Sequence, residues 1–189
     1  MGMTHRAPPR HDAGFTLVET LLVASMALGL ATASVAWSRA AADGIEADAN
    51  LRIVLGQLTV ARETAINQRR SVEVRFTPPN IVQVIRHDLP AGTTVISTAV
   101  LAHALQFQRF PTVPDTPDSF GGTTALSFGA ATQVMFSADG MFTDGTGTPV
   151  NGSIFIGRFG QTDTARALTV FGATARVRTY RWSGSTWGH

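Results

Sequence analysis

From Phe15 to Trp37 the chain reads FTLVETLLVASMALGLATASVAW, 23 residues with one ionisable side chain, Glu19. As an unbroken helix this stretch would rise about 34 Å at ~1.5 Å per residue, enough to cross a bilayer core of ~30 Å. Arg6 and Arg10 precede it among prolines and histidines. Positive charge ahead of an apolar helix holds that end in the cytoplasm, so the pattern predicts a single-pass segment with its N-terminus inside and the rest of the chain outside. Glu19 is the oddity, because an unpaired carboxylate near mid-bilayer costs up to ~3 kcal/mol. A secretory signal cut near Ala33 or Ala42, or a plain anchor, leaves that glutamate without a purpose.

Composition removes several chemistries. There is no cysteine, which excludes disulfides, thiolate metal sites and thiol nucleophiles. All 15 basic side chains are arginine and the formal charge is only +2, so no lysine is present for a Schiff base or a phosphate loop. His87, His103 and His189 are isolated, with no paired metal-ligand spacing. Asp139, Asp144 and Asp163 sit beside Gly or Thr and read as turn formers rather than a calcium loop. No G-x-S-x-G elbow occurs, and Gly121-Gly122 and Gly145-Thr146-Gly147 read as loop tips. The expectation is a chain that is not an enzyme and takes neither cofactor nor metal.

No proline falls between Pro9 and Pro78, so one helix is expected from about Phe15 to about Asn67. In its outer part Leu51, Val54, Leu55, Leu58, Ala61, Ala65 and Ile66 recur at helical spacing, with Arg52, Gln57, Arg62, Glu63 and Gln68 mostly off that stripe. From Ser71 the period becomes two, and Val72, Val74 and Phe76, then Ile81, Val82, Val84 and Ile85, flank Thr77-Pro78-Pro79-Asn80 as a β-hairpin. Further strands are expected over 93–97, 105–110, 125–128, 133–137, 153–157, 167–171 and 175–182, with loops over 111–122 and 139–152. The fold class is α+β, a long N-terminal helix packed on a C-terminal antiparallel β-sheet head.

Gly14 followed by Phe15-Thr16-Leu17-Val18-Glu19-Thr20-Leu21-Leu22-Val23 resembles the prepilin processing signal of type IV pilins and type II secretion pseudopilins. Three stretches of the head narrow the likeness. Ala61 to Arg69 leading into Ser71-Val72-Glu73-Val74, then Phe136-Ser137-Ala138-Asp139-Gly140 with Thr143-Asp144-Gly145, and Ala167 to Gly172 with Ala175-Arg176-Val177-Arg178 resemble the GspH/FimT family of minor pseudopilins, type II secretion system protein H. One departure is Ala175, where the family usually has Gly before the arginine.

The resemblance implies a pilin-like fold with a leader over 1–14, a transmembrane and assembly helix over 15–37, an amphipathic helix over 38–70 and a β-rich head over 71–189. It implies cleavage after Gly14 by a prepilin peptidase, N-methylation of Phe15, and pairing of Glu19 with the freed amine of a neighbouring subunit. Expected partners are other major and minor pseudopilins, the inner-membrane assembly platform and membrane lipid. The expected location is the inner membrane, N-terminus cytoplasmic and head periplasmic. The implied role is a structural subunit at the tip of a type II secretion pseudopilus, initiating assembly for protein export. The alternative is a FimT/FimU-like minor pilin of a type IV pilus that binds DNA in natural transformation.

That alternative rests on the C-terminal region, where Arg158, Arg166, Arg176, Arg178 and Arg181 face a single acid, Asp163, after residue 157. In a strand, Arg176, Arg178, Tyr180 and Trp182 would project to one side, with Arg181 close by. Guanidinium groups beside aromatic rings can hold phosphates and stack bases. The plainer reading, which the missing Gly-Arg form favours, is that an edge strand carries arginine to stay soluble and unpaired.

Overall fold

The computed structural model describes residues 16–188. The expected leader over 1–14 and Phe15, like His189, lie outside the described residues. Helix α1 spans Leu17–Gln68. The chain divides into two compact units, one ending at Ala41 and the other beginning at Ala42.

In the first unit the helix begins on a cap, the Thr16 hydroxyl accepting the Glu19 N–H at 3.2 Å. The hydroxyls of Thr20, Ser25, Thr32 and Ser34 donate to backbone carbonyls three or four residues earlier, so these polar atoms need no outside partner. Leu17, Val18, Leu21, Leu28, Leu30 and Trp37 are exposed. The side chains of Ala33, Val35, Ala36, Arg39 and Ala40 lie outside the description, so its unbroken run stops at Thr32. The described part of this stretch carries the polar residues Glu19, Thr20 and Ser25. Among the described residues no helix is long and apolar enough to cross a membrane, so the span expected over 15–37 is not met by them.

In the second unit, α1 buries Leu51, Val54, Leu58, Ala61 and Ala65, the stripe expected from helical spacing, while Ile66 is left exposed. After the helix come β1 (Val72–Thr77), β2 (Ile81–His87), β3 (Thr93–Val100), β4 (Leu105–Phe107), β5 (Leu126–Ser127) and β6 (Val134–Phe136). They are followed by β7 (Phe142–Asp144), β8 (Gly152–Arg158), β9 (Gln161–Phe171), β10 (Arg176–Trp182) and β11 (Trp187–Gly188). They form two antiparallel sheets rather than one. The first has the order β3-β2-β1-β6-β7, and the second β11-β10-β9-β8-β4 with β5 also on β8. One core joins both to the helix: Val74, Val84 and Phe136 from the first sheet and Ile154, Ile156, Leu168 and Val170 from the second meet Val54 and Leu58.

Two strands escaped the sequence reading. β7 lies inside the Gly/Thr-rich stretch taken for a loop, yet Phe142 is fully buried against Phe136 and pairs with it across the ladder. β11 is a two-residue return that pairs only with Arg181 and Trp182. Both are too short for an alternation to register.

Asn50 ties the helix to the turn before β4. It is buried, donates to the Glu46 carbonyl at 2.8 Å and accepts the Ala102 N–H at 2.7 Å. The helix stops in a Schellman motif: the Arg70 N–H reaches the Ala65 carbonyl at 3.1 Å and the Arg69 N–H reaches Ile66 at 3.3 Å. That geometry puts Arg69 at φ 49°, a left-handed position where a residue with a Cβ costs roughly 1–2 kcal/mol. Arg69→Gly is therefore expected to stabilise the fold by about 1 kcal/mol. Thermal unfolding would read this as a rise of a few degrees, and an unchanged or lower midpoint would refute it.

Candidate functional site

Of the residues singled out in the sequence, Gly14 and Phe15 lie outside the described residues. Glu19 stands in the first turn of α1, its N–H held by Thr16. The sequence reading assigned this glutamate to assembly and missed the cap, although Thr-x-x-Glu is the spacing of a capping box. Among the described residues the Glu19 carboxylate has no side-chain partner within hydrogen-bonding distance.

The C-terminal arginines fall on two faces and an edge. On the face of the second sheet turned toward α1, Arg166 is fully buried and donates from Nε to Asp48 and from Nη2 to the Gly44 carbonyl at 3.1 Å. Its Nη1 donates to the carbonyls of Asp163 and Ala165. Arg158 pairs with Asp43 at 2.6 Å and Glu46 at 2.7 Å, and Arg181 lies 3.7 Å from Asp48. The acids at 43, 46 and 48 are thus the counter-charges of the strand arginines. Acids three and five apart on a helix, with basic strands to follow, were the signal that could have located them.

On the opposite face the loop over 108–122 lies across the sheet. Phe110 and Val113 pack with Trp182, and the ring of Phe110 sits so close to Gly157 that a Cβ there would come within 2.5 Å of it. The Trp187 indole N–H donates to the Pro114 carbonyl at 3.0 Å. Asp118 descends from this loop to accept hydrogen bonds from the Thr169 hydroxyl, the Tyr180 hydroxyl at 2.8 Å and Arg178. Arg178 also lies over the Phe171 ring, 5.0 Å from its centroid. Burial opposes ionisation of Asp118, but the hydrogen bonds from Thr169, Tyr180 and Arg178 outweigh it and hold the carboxyl below its ordinary 3.8.

Arg178, Tyr180 and Trp182 therefore do share a face, as the alternation predicted. The stacking platform read from them is corrected, because Tyr180 and Trp182 are buried and offer no ring surface to a base. Arg176 is exposed and makes no ion pair among the described residues.

His87 Nε2 stands 3.2 Å from Glu73, and His103 Nδ1 stands 3.4 Å from Glu46. The Asp144 carboxylate accepts the N–H groups of Thr146 and Thr148 at 2.9 Å and closes its own turn. Among the described residues no three His, Asp or Glu side chains gather as a metal site.

No family model matches the chain, and no curated protein matches it. Among solved structures it is similar to the minor pseudopilin EpsH from the type 2 secretion system of Vibrio cholerae. That likeness covers 72% of this chain and 97% of that one, at 17% identity and a TM-score of 0.48. It is also similar to the type IV minor pilin FimU of Pseudomonas aeruginosa, over 76% of this chain and 93% of that one, at 15% identity and a TM-score of 0.47.

The Asp118 cluster sets a pH dependence. Its folded pKa is depressed, so its stabilisation is fully present above the ordinary carboxyl range and is lost as the pH falls through the lower folded value. Asp118→Asn should cost about 2 kcal/mol at neutral pH, where charge-assisted hydrogen bonds are lost. The gap between variant and parent should close on acidification below pH ~4. Chemical denaturation across pH checks this, and parallel curves would refute it.

Proposed function

We propose that this chain is a minor, non-enzymatic subunit of a pilin-like envelope filament, most specifically a pseudopilin of the GspH/FimT type serving protein export. What supports the reading is the sequence of Gly14, Phe15 and Glu19, with Glu19 in the first turn of α1, which opens at Leu17 and leads into a β-rich unit. A processing signal at a helix start, an apolar exposed helix and a separately packed head are the parts a filament subunit needs.

The basic leader keeps residues 1–14 in the cytoplasm while the segment over 15–37 enters the inner membrane. The exposed Leu, Val and Met side chains face lipid or neighbouring helices, and the back-bonded hydroxyls enter without stranded donors. Prepilin peptidase removes the leader after Gly14 and methylates Phe15. The new ammonium of one subunit then meets Glu19 of the next, which neutralises a costly charge and sets axial register. The head remains on the periplasmic side, the register of its own part of the helix fixed by the arginine and acid pairs. The assembly platform and other pseudopilins complete the filament.

Intact mass and N-terminal sequencing of membrane-extracted protein, from cells with and without a prepilin peptidase, test this. A 175-residue product beginning with N-methyl-Phe15 is expected only where the peptidase is present. An uncut chain, or one cut near Ala33 or Ala42, would overturn the reading. Glu19→Ala leaves the backbone cap from Thr16 in place, so it should be processed normally yet be lost from the filament fraction. Unchanged incorporation would remove Glu19 from assembly.

A further inference from the structure

The second sheet has one long open edge. β11 covers β10 only at Arg181 and Trp182, so from Arg176 to Tyr180 no described strand lies on that side. β10 pairs with β9 on its other side from Arg176 to Arg181. The pairing of Arg181 with β11, and the Ser183 N–H bonded to Thr186 at 3.0 Å, fix which residues look outward. By the two-residue alternation of an antiparallel ladder, Val177 and Thr179 turn their N–H and C=O groups to the open edge.

Beside that edge, α1 and β10 enclose two cavities of about 330 and 310 Å³ that share Leu55. Leu51, Leu55, Leu58 and Val177 provide the apolar lining. Arg52, Arg62, Arg176 and Arg181 border it, against only Asp48 and Glu63. Asp48 is already bonded to the buried Arg166, so the border is strongly cationic. Arg52 and Arg176 are exposed and form no ion pair among the described residues.

We propose that this edge and groove take an extended acidic segment of a partner protein, added as a further strand beside β10. Its backbone would bond to Val177 and Thr179, alternate apolar side chains would turn to the α1 side and fill the two cavities, and the carboxylates between them, on the opposite side, would meet Arg176, which alternation places on the face of Arg178. The bordering arginines repel a basic strand, which gives the edge a sign preference. Another edge strand, β3, has no charged residue to select a partner. Nucleic acid fits the site less well, since Asp118 already holds Arg178 and the rings of Tyr180 and Trp182 are covered. The groove lies wholly in the unit from Ala42 onward. It does not rest on the filament reading, so failure of cleavage at Gly14 and failure of peptide binding are separate results.

The test uses the full chain in detergent, with a labelled octapeptide alternating Glu and Val, its Lys and Val counterpart, and a random-sequence DNA duplex, all read by fluorescence anisotropy. The acidic peptide is expected to bind saturably, the basic one not at all, and amide exchange at Val177 and Thr179 to slow on binding. Thr179→Pro removes an outward N–H without touching the β9 ladder, and Arg176→Glu reverses an exposed charge; each should weaken binding about tenfold. Circular dichroism checks that both variants fold, and if Thr179→Pro does not, Arg176→Glu and the amide exchange decide. Absence of saturable acidic-peptide binding, affinity unchanged in a folded variant, no slowing at Val177 and Thr179, or displacement of the peptide by the duplex would overturn the proposal.

Discussion

A fully buried guanidinium governs how the helix sits on the second sheet. Arg166 has left water altogether, and a charge in that position is tolerated only if its donors are met. Two of its bonds stay within the neighbourhood of its own strand, at Asp163 and Ala165, and two cross to the helix at Asp48 and Gly44. Sliding the helix by one residue would strand the charge. The neighbouring Arg158, clasped by Asp43 and Glu46, repeats the constraint one turn earlier. Apolar packing alone is forgiving of register, since one leucine can replace another in a groove. Directional bonds to a buried cation are not.

The same logic runs through the outer face of that sheet with the signs reversed. There the loop supplies the acid, Asp118, and the strands supply Thr169, Arg178 and Tyr180. A Pro/Asp/Gly-rich segment with few apolar residues would have little reason to lie down on a sheet. Phe110, Val113 and the bond from Trp187 to Pro114 hold its first half, and the carboxylate anchors the second. Arginines that are unopposed along the sequence are therefore largely opposed in space, because their counter-ions come from a helix more than a hundred residues away and from a loop about sixty away. What remains cationic is the edge of β10, the one part of the strand that neither partner covers.

This separates what periodicity can reveal from what it cannot. The helix over 17–68 and the hairpin of β1 and β2 were legible because each repeats one pattern long enough to be unmistakable. The short strands β7 and β11 were not, and neither was the division into two sheets, which depends on which edge pairs with which. The arginine cluster was legible as residues but misleading as charge. Net charge along a stretch counts only neighbours in sequence, whereas Asp43, Asp48 and Asp118 act through the fold. Tyr180 and Trp182 were placed on the expected face by alternation, yet alternation carries no information about a loop that later covers that face.

The two units treat polar groups differently, and the contrast bears on Glu19. From Ala42 onward, the buried charges at Glu73 and Arg166 have partners within the chain. In the helix up to Ala41, the hydroxyls of Thr20, Ser25, Thr32 and Ser34 are satisfied by the helix's own carbonyls. The Glu19 side chain follows neither pattern, having no side-chain partner among the described residues. In water a carboxylate needs none. Against hydrocarbon it needs a cation, and the first turn of a helix, where the exposed N–H groups already favour negative charge, is where one approaching from beyond the helix start would find it.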